Sequence, residues 1–340
     1  MNKTLTELFV SQYRLCKLQP GEIVGVICEF GKKEEYVAGA VAAARQVGAS
    51  PLVLMASSLS NPILPPYAAS NPEVPALLAG AGECDLIIDV TVGGLIHSDV
   101  RTRITGAGKR MLFVHEPADV LQRLMGDDTV RSRVEAAAGV LQAGERMRIT
   151  SAAGTDLEVD ISGPNLPITR QWGFVDEPGR WDHWPSGFVA CFPNDRTAQG
   201  VIVLNVGDVL LPWGRYVHDP VALTVKDGYI TSIKGEGVDA FVLAEYFGRW
   251  KDPEVYALSH MGWGVHPAAS WSALAAYDPR SLYGQELRSV EGNFMWSTGS
   301  NRFAKRETPA HLDIPMGGCT VRIDGRVVVD AGKLVKRDES

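Results

Sequence analysis

The sequence predicts an α/β domain with a doubly wound, mostly parallel sheet, followed by an α+β domain rich in antiparallel strands. Three observations predict it. Between residues 22 and 115, short runs that are apolar throughout alternate with helix-type segments, as strands covered on both faces do. Beyond residue 143 the pattern changes to alternation of apolar and polar residues, the mark of half-buried strands. Asp-Gly pairs stand at 227–228 and 324–325 between such runs, where a tight hairpin turn needs positive φ. The expected division is a scaffold domain over residues 1–143 and a metal-binding, catalytic domain over 144–340.

Each element has a local reason. Thr4 and Glu7 make a T-x-x-E capping box, and Leu5, Leu8 and Phe9 begin the apolar stripe of a first helix. Glu22 to Cys28 reads as a strand, Glu34 to Val47 as an Ala-rich helix closed by Gly48, and residues 51–55 as a second strand. A Pro-rich loop covers Ser57 to Pro66, and a helix is expected near 72–81. Strands follow at 85–90 and 110–115, with a helix at 96–107 between them. In the second half, residues 147–163 form two strands around a turn. Further strand-type runs cover 201–211, 221–235 and 319–332, and Val238 to Trp250 reads as one helix. There is no internal repeat.

Composition narrows the function. The 340 residues carry 33 Lys and Arg against 40 Asp and Glu, a net charge of −7, so a phosphate backbone is a poor partner and nucleic acid is excluded. No run approaches the ~18 apolar residues of a membrane span. The first residues form an amphipathic segment interrupted by Glu7, Arg14 and Lys17, unlike a signal peptide. Five cysteines (Cys16, Cys28, Cys84, Cys191, Cys319) are scattered and never in CxxC spacing, which points to reduced thiols in the cytoplasm. The strand at 22–28 leads into GKKEEYVAG (31–39), with neither GxGxxG nor a GxxxxGK[ST] loop, so neither nicotinamide nor flavin is expected.

The chemistry gathers in the last third, in SHMGWGVHP (259–267), GNFMWSTGSN (292–301) and AHLDIPM (310–316). His311 and Asp313 are two apart, and on a strand i and i+2 share a face. An imidazole and a carboxylate converging on one point suit a divalent cation. With a further His they make the 2-His-1-carboxylate pattern of non-haem Fe(II) sites. The alternative for the pair alone is an ordinary surface His–Asp hydrogen bond.

Taken with WDHWPSGFVACFP (181–193), these segments resemble the 2,5-dihydroxypyridine 5,6-dioxygenases, Fe(II) ring-cleaving enzymes of nicotinate and nicotine breakdown. More distantly the chain resembles the M29 metallo-aminopeptidases, whose scaffold those dioxygenases share. The resemblance runs the full length, and the last 160 residues are its specific part. It implies one Fe(II) per chain, held by two His, one Asp and an unusual Ser. By motif these are His260, Ser297, His311 and Asp313, with His266 and Ser300 as neighbouring alternatives for the first two. It implies acid/base roles for His97 in TVGGLIHSD and His183 in WDHWPSG. It also implies that Trp184 and Phe188 offer ring faces to a flat heteroaromatic substrate. Each of these side chains could instead be structural. His115 and His218 are expected to be structural, and Arg170, Arg180 and Arg288 are open candidates for anchoring ring oxygens.

The implied reaction takes a small aromatic substrate and O₂, opening 2,5-dihydroxypyridine between C5 and C6 to N-formylmaleamate in a cytoplasmic homo-oligomer. The alternative is a metal-dependent aminopeptidase or amidohydrolase of the M29 type. That chemistry needs two metals bridged by glutamates, and this chain has Phe188 and His260 where those glutamates stand. Losing both removes the negative charge that holds two dications close together, which leaves one metal.

Overall fold

The computed structural model describes residues 3–57, 59, 73–96, 98–278 and 281–335. The Pro-rich loop, apart from Ser57 and Leu59, and His97 lie outside them. The chain divides into two compact units. The first is Met1–Asp128 with Gln171–Ser186 and Ser281–Gln285; the second is Thr129–Arg170 with Gly187–Arg280 and Glu286–Ser340. In place of a single cut at residue 143, each unit is built from three segments of chain.

In the first unit, α1 (Leu5–Leu15) opens on the expected capping box, with Glu7 N–H donating to Thr4 Oγ1 and the Glu7 carboxylate accepting from Thr4 N–H. There follow β1 (Ile23–Glu29), α2 (Glu34–Gln46), β2 (Ser50–Ala56), α3 (Val74–Gly82), β3 (Leu86–Asp89), α4 (Asp99–Gly106), β4 (Arg110–Val114) and α5 (Ala118–Arg123). The chain then runs through α6 (Asp128–Ala143), β5 (Arg146–Ser151), β6 (Asp156–Asp160) and β7 (Ile168–Gln171) before β8 (Trp181–Trp184). β8 pairs parallel with β4, and the sheet order is β2-β1-β3-β4-β8, parallel throughout. β3 and β4 are buried along their whole length, and β1 all but its first residue, which is why their sequences are apolar without alternation. Ile27, Ile87, Met111 and Phe113 share one core cluster beneath α3 and α4 residues such as Leu77 and Ile104.

The second unit continues with β9 (Phe188–Cys191), β10 (Gln199–Leu204), β11 (Val209–Leu210), β12 (Arg215–Tyr216), β13 (Val221–Lys226), β14 (Tyr229–Lys234) and α7 (Val238–Arg249). It closes with β15 (Leu258–Gly264), α8 (Ala273–Ala276), α9 (Gln285–Ser289), β16 (Phe294–Asn301), β17 (Arg306–Met316), β18 (Cys319–Ile323), β19 (Arg326–Asp330) and β20 (Lys333–Leu334). An eight-stranded sheet runs β14-β13-β10-β6-β5-β18-β19-β20. Its predicted Asp-Gly turns are formed, with φ of 49° and 79° at Asp227-Gly228 and 49° and 81° at Asp324-Gly325. Both residues of each pair adopt positive φ, as a type I′ turn demands. A second sheet, β17-β16-β15-β9-β7, carries the chemistry.

Candidate metal centre

Three adjacent antiparallel strands of this second sheet position the ligand candidates. β17 carries His311 and Asp313, i and i+2 on one face, as their spacing predicts. On β16, Ser297 lies directly opposite Asp313 and Gly299 opposite His311. On β15, the backbone N–H of His260 donates to Ser297 Oγ at 2.9 Å, and Ser297 Oγ donates back to His260 O at 3.2 Å. One buried hydroxyl thus ties the backbone of His260 to the strand between it and Asp313. His266, the alternative imidazole, lies beyond the end of β15 and accepts from Ala268 N–H instead. Ser300, the alternative hydroxyl, bonds the backbone of Thr308.

The result is a tight triangle of ligand atoms. His260 Nε2 and His311 Nε2 are 3.3 Å apart, and Asp313 Oδ1 is 3.0 Å from His311 Nε2 and 3.4 Å from His260 Nε2. Around a single ion with bonds of about 2.1 Å, octahedral and tetrahedral neighbours sit about 3.0 and 3.4 Å apart. The three edges therefore have the spacing of adjacent ligands on one cation. Among the described residues this is the one cluster of His, Cys, Asp and Glu with that property.

The protonation states fit the same purpose. Burial pushes His260 down to about 3, with His311 and Arg288 lowering it further against the pull of Asp313. It is a neutral imidazole, the form that binds metal. Burial pushes Asp313 up, but His311 and the Arg288 guanidinium more than reverse this and hold it well below the usual carboxylate range. The site thus has two imidazoles and one ionised carboxylate, a donor set matched to a divalent cation with open positions. A second, bridging carboxylate is missing from this cluster, and Phe188, at one of the positions in question, is buried on β9 against Ala190 and Met295.

The aromatic expectations need correction. Trp184 is 1% exposed, its indole N–H donates to Leu121 O at 3.1 Å, and its ring meets Phe9 edge-on at 5.3 Å. It is core of the first unit, not a face for a ring to stack on. Phe188 is likewise taken up by its own cluster, at 3% exposure. Phe192 escapes sequence reasoning. It meets His260 edge-on at 5.4 Å and packs at 4.8 Å on the half-exposed Phe303. The only signal in the sequence is its position just past β9, in CFP.

In the first unit, His183 lies buried on β8 with Phe113 at 5.2 Å and Tyr283 stacked at 5.5 Å. His115 is buried beside them, its ring 4.7 Å from Tyr283. Neither of its ring nitrogens has a hydrogen-bond partner among the described residues. Of the three candidate arginines, Arg180 is engaged with Asp182 at 2.7 Å and stacks on Trp172, while Arg288 reaches Asp313, one of the ligand candidates. Asp182, buried beneath Arg180, is pushed up to about 6 by that burial.

Comparison with known proteins places the chain in a family. The 2,5-dihydroxypyridine 5,6-dioxygenase family profile matches residues 4–336. A 2,5-dihydroxypyridine 5,6-dioxygenase of Pseudomonas putida KT2440 is 34% identical over 348 residues, covering 100% of this chain and 98% of its own. A solved structure of 2,5-dihydroxypyridine dioxygenase from that organism superposes with a TM-score of 0.92 at 33% identity, covering 100% of this chain and 99% of the other. AmpT from Thermus thermophilus superposes with a TM-score of 0.66 at 14% identity over 98% and 99% of the two chains, a likeness of fold alone. With 34% identity over the whole chain and a family profile that matches residues 4–336, the chain belongs to the 2,5-dihydroxypyridine 5,6-dioxygenase family.

Proposed function

We propose that the chain opens 2,5-dihydroxypyridine between C5 and C6 to N-formylmaleamate, placing both atoms of O₂ in the product and using one Fe(II) per chain. The observation that carries this reading is the His260–His311–Asp313 triangle with its single carboxylate. These three residues would hold the iron, with Ser297 as a fourth, neutral donor beside Asp313. Bound there, Fe(II) supplies the one-electron chemistry that lets O₂ react with an electron-rich ring. The ring itself provides all the electrons, so neither flavin nor nicotinamide is required.

The protein's own contribution is orientation and proton transfer. His260 stays neutral and the strands hold both imidazoles in place, so the site keeps its shape without substrate. Phe192 and Phe303 offer aromatic faces next to His260 against which a flat ring can pack. His97 and His183 are the acid/base groups of this reading. An imidazole in its neutral form can take the proton of a ring hydroxyl and make the ring a better electron donor.

The same reading covers assembly and location. Leu52, Val53 and Met55 are exposed on the edge strand β2, a surface that favours a homo-oligomer; light scattering on the purified protein tests it. The five cysteines are all free and buried, which supports a reducing compartment such as the cytoplasm. No described helix is long and apolar enough to cross a membrane.

The test loads the protein with Fe(II) without oxygen, then adds substrate and air. Ring absorbance is expected to fall with one O₂ consumed per ring. Full activity with zinc in place of iron would refute the reading, because zinc has no redox chemistry.

A further inference from the structure

We propose that Arg288 is a positioning residue that confines Asp313 to one metal bond and, by its charge, prepares the site for an anionic ring oxygen. The inference rests on the metal-centre reading above and assigns a role to a residue outside the ligand set.

The geometry is specific. Arg288 Nε and Nη2 both donate to the same oxygen of Asp313, Oδ2, at 2.9 and 2.8 Å. The other oxygen, Oδ1, is the one that faces His311 Nε2 and His260 Nε2. The two side chains are 14% and 8% exposed, so water competes little for these bonds. Two donors on one oxygen fix the rotation of the carboxylate plane. For Asp313 to chelate a metal with both oxygens it would have to break both bonds.

The arginine is itself held in place. Asn293 Nδ2 donates to Leu287 O at 2.8 Å and to Arg288 O at 3.2 Å, and Asn293 Oδ1 accepts from Gly264 N–H at 2.6 Å. The backbone of α9 at Arg288 is thereby tied to the end of β15, the strand that carries His260. A support that fixes a ligand from behind is what a precise metal site requires.

Two consequences follow. A carboxylate held to one oxygen would take up one position fewer on a bound cation than a chelating one. Arg288 also cancels the charge of Asp313, so a dication in the triangle keeps its full double positive charge. Such a centre draws a deprotonated hydroxypyridine oxygen more strongly than a neutral one. The arginine thus selects an anionic, electron-rich ring, the form that gives up electrons to O₂ most readily.

The experiment compares wild type with Arg288→Gln and Arg288→Lys, using Co(II) as a spectroscopic probe and 2,5-dihydroxypyridine binding without oxygen as the affinity readout. Arg288→Gln is expected to change the Co(II) absorption spectrum, as Asp313 becomes free to chelate, and to weaken substrate binding about tenfold or more. Arg288→Lys keeps the charge and not the paired donors, so it is expected to change the spectrum and leave substrate affinity within about threefold of wild type. If Arg288→Gln does not fold, as judged by thermal melting, the lysine variant alone decides: an unchanged spectrum overturns the proposal. In folded Arg288→Gln, a wild-type spectrum with substrate affinity within about twofold overturns it too, because a purely structural arginine would move the melting temperature only. Asp313→Ala separates the two readings. If that variant binds Co(II) as wild type does, the metal centre itself is refuted; if it loses the metal while Arg288→Gln is silent, only the role of Arg288 falls.

Discussion

Replacing Gly299 by Ala tests whether the ligand triangle is as rigid as the strands that build it. Gly299 lies opposite His311 on the neighbouring strand, with φ +89°. A Cβ placed there would sit 1.9 Å from Ala310 O, whereas real Cβ atoms essentially never come within 3.0 Å of such an atom. β16 and β17 must therefore separate by at least about 1.1 Å at the residue next to His311. Metal sites tolerate about 0.2 Å in ligand distance, so the required movement is several times what the triangle can absorb. The positive φ adds about 1–2 kcal/mol of strain, and the overpacking about 1–3 kcal/mol. Gly21→Ala is the control, since Gly21 has φ +87° and nothing lies within 4 Å of the place its new methyl group would take. It carries the strain without the collision. The assay is titration of the metal-free protein with Co(II), alongside urea unfolding. Gly299→Ala is expected to lose about 10–100-fold in metal affinity and about 2–5 kcal/mol of stability; Gly21→Ala is expected to lose about 1–2 kcal/mol and keep its metal affinity. Wild-type metal affinity in a folded Gly299→Ala protein would show that the triangle is not held by the register of β16 on β17.

Three further outcomes are expected. Ser297→Ala removes a buried hydroxyl that accepts from the part-buried His260 N–H and is expected to cost the metal-free protein about 1–3 kcal/mol; a loss under about 0.5 kcal/mol in urea melts would contradict the bonds described. Trp184→Phe orphans Leu121 O and thins the core, so it is expected to cost about 1–3 kcal/mol with substrate KM unchanged, and a large KM rise at unchanged stability would restore Trp184 as a substrate face. Burial lowers Lys33 from 10.5 to about 8, even with Asp89 and Glu116 nearby. Between those values the unfolded chain holds a proton that the folded chain has lost, so this group's contribution to stability rises with pH. The stability of wild type relative to Lys33→Met is therefore expected to rise by about 3 kcal/mol from pH 7.5 to 10.5, at about 1.4 kcal/mol per tenfold; a flat difference across that range would refute the burial argument.

What can be seen in the sequence follows from how local each feature is. The strands at 23–29, 86–89 and 110–114 are legible because burial on both faces makes them apolar without interruption. β8 is not: WDHW carries Asp182 and His183, and Asp182 is tolerable only because Arg180 and the backbone N–H groups of Trp172 and His183 satisfy it. Arg180 and His183 are sequence neighbours of Asp182, but an Arg two residues from an Asp reads equally well as an exposed pair, and the Trp172 N–H comes from ten residues away. His311 and Asp313 can be paired from their spacing, whereas His260 reaches them only through a strand pairing that spans some 50 residues. The choice among three arginines stays open in the sequence for the same reason, since Arg288 sits on a helix of five residues. Trp184 shows the opposite failure. An aromatic cluster reads alike whether it lines a pocket or fills a core, and only the partner of its N–H tells the two apart.

The most direct test of the account is anaerobic titration of the metal-free protein with Fe(II), with bound iron counted per chain in wild type and in the His260→Ala, His311→Ala and Asp313→Ala variants. One equivalent in wild type, lost in each variant together with O₂ uptake on 2,5-dihydroxypyridine, is the predicted result. Two cations per chain, or a single iron that survives removal of Asp313, would contradict it.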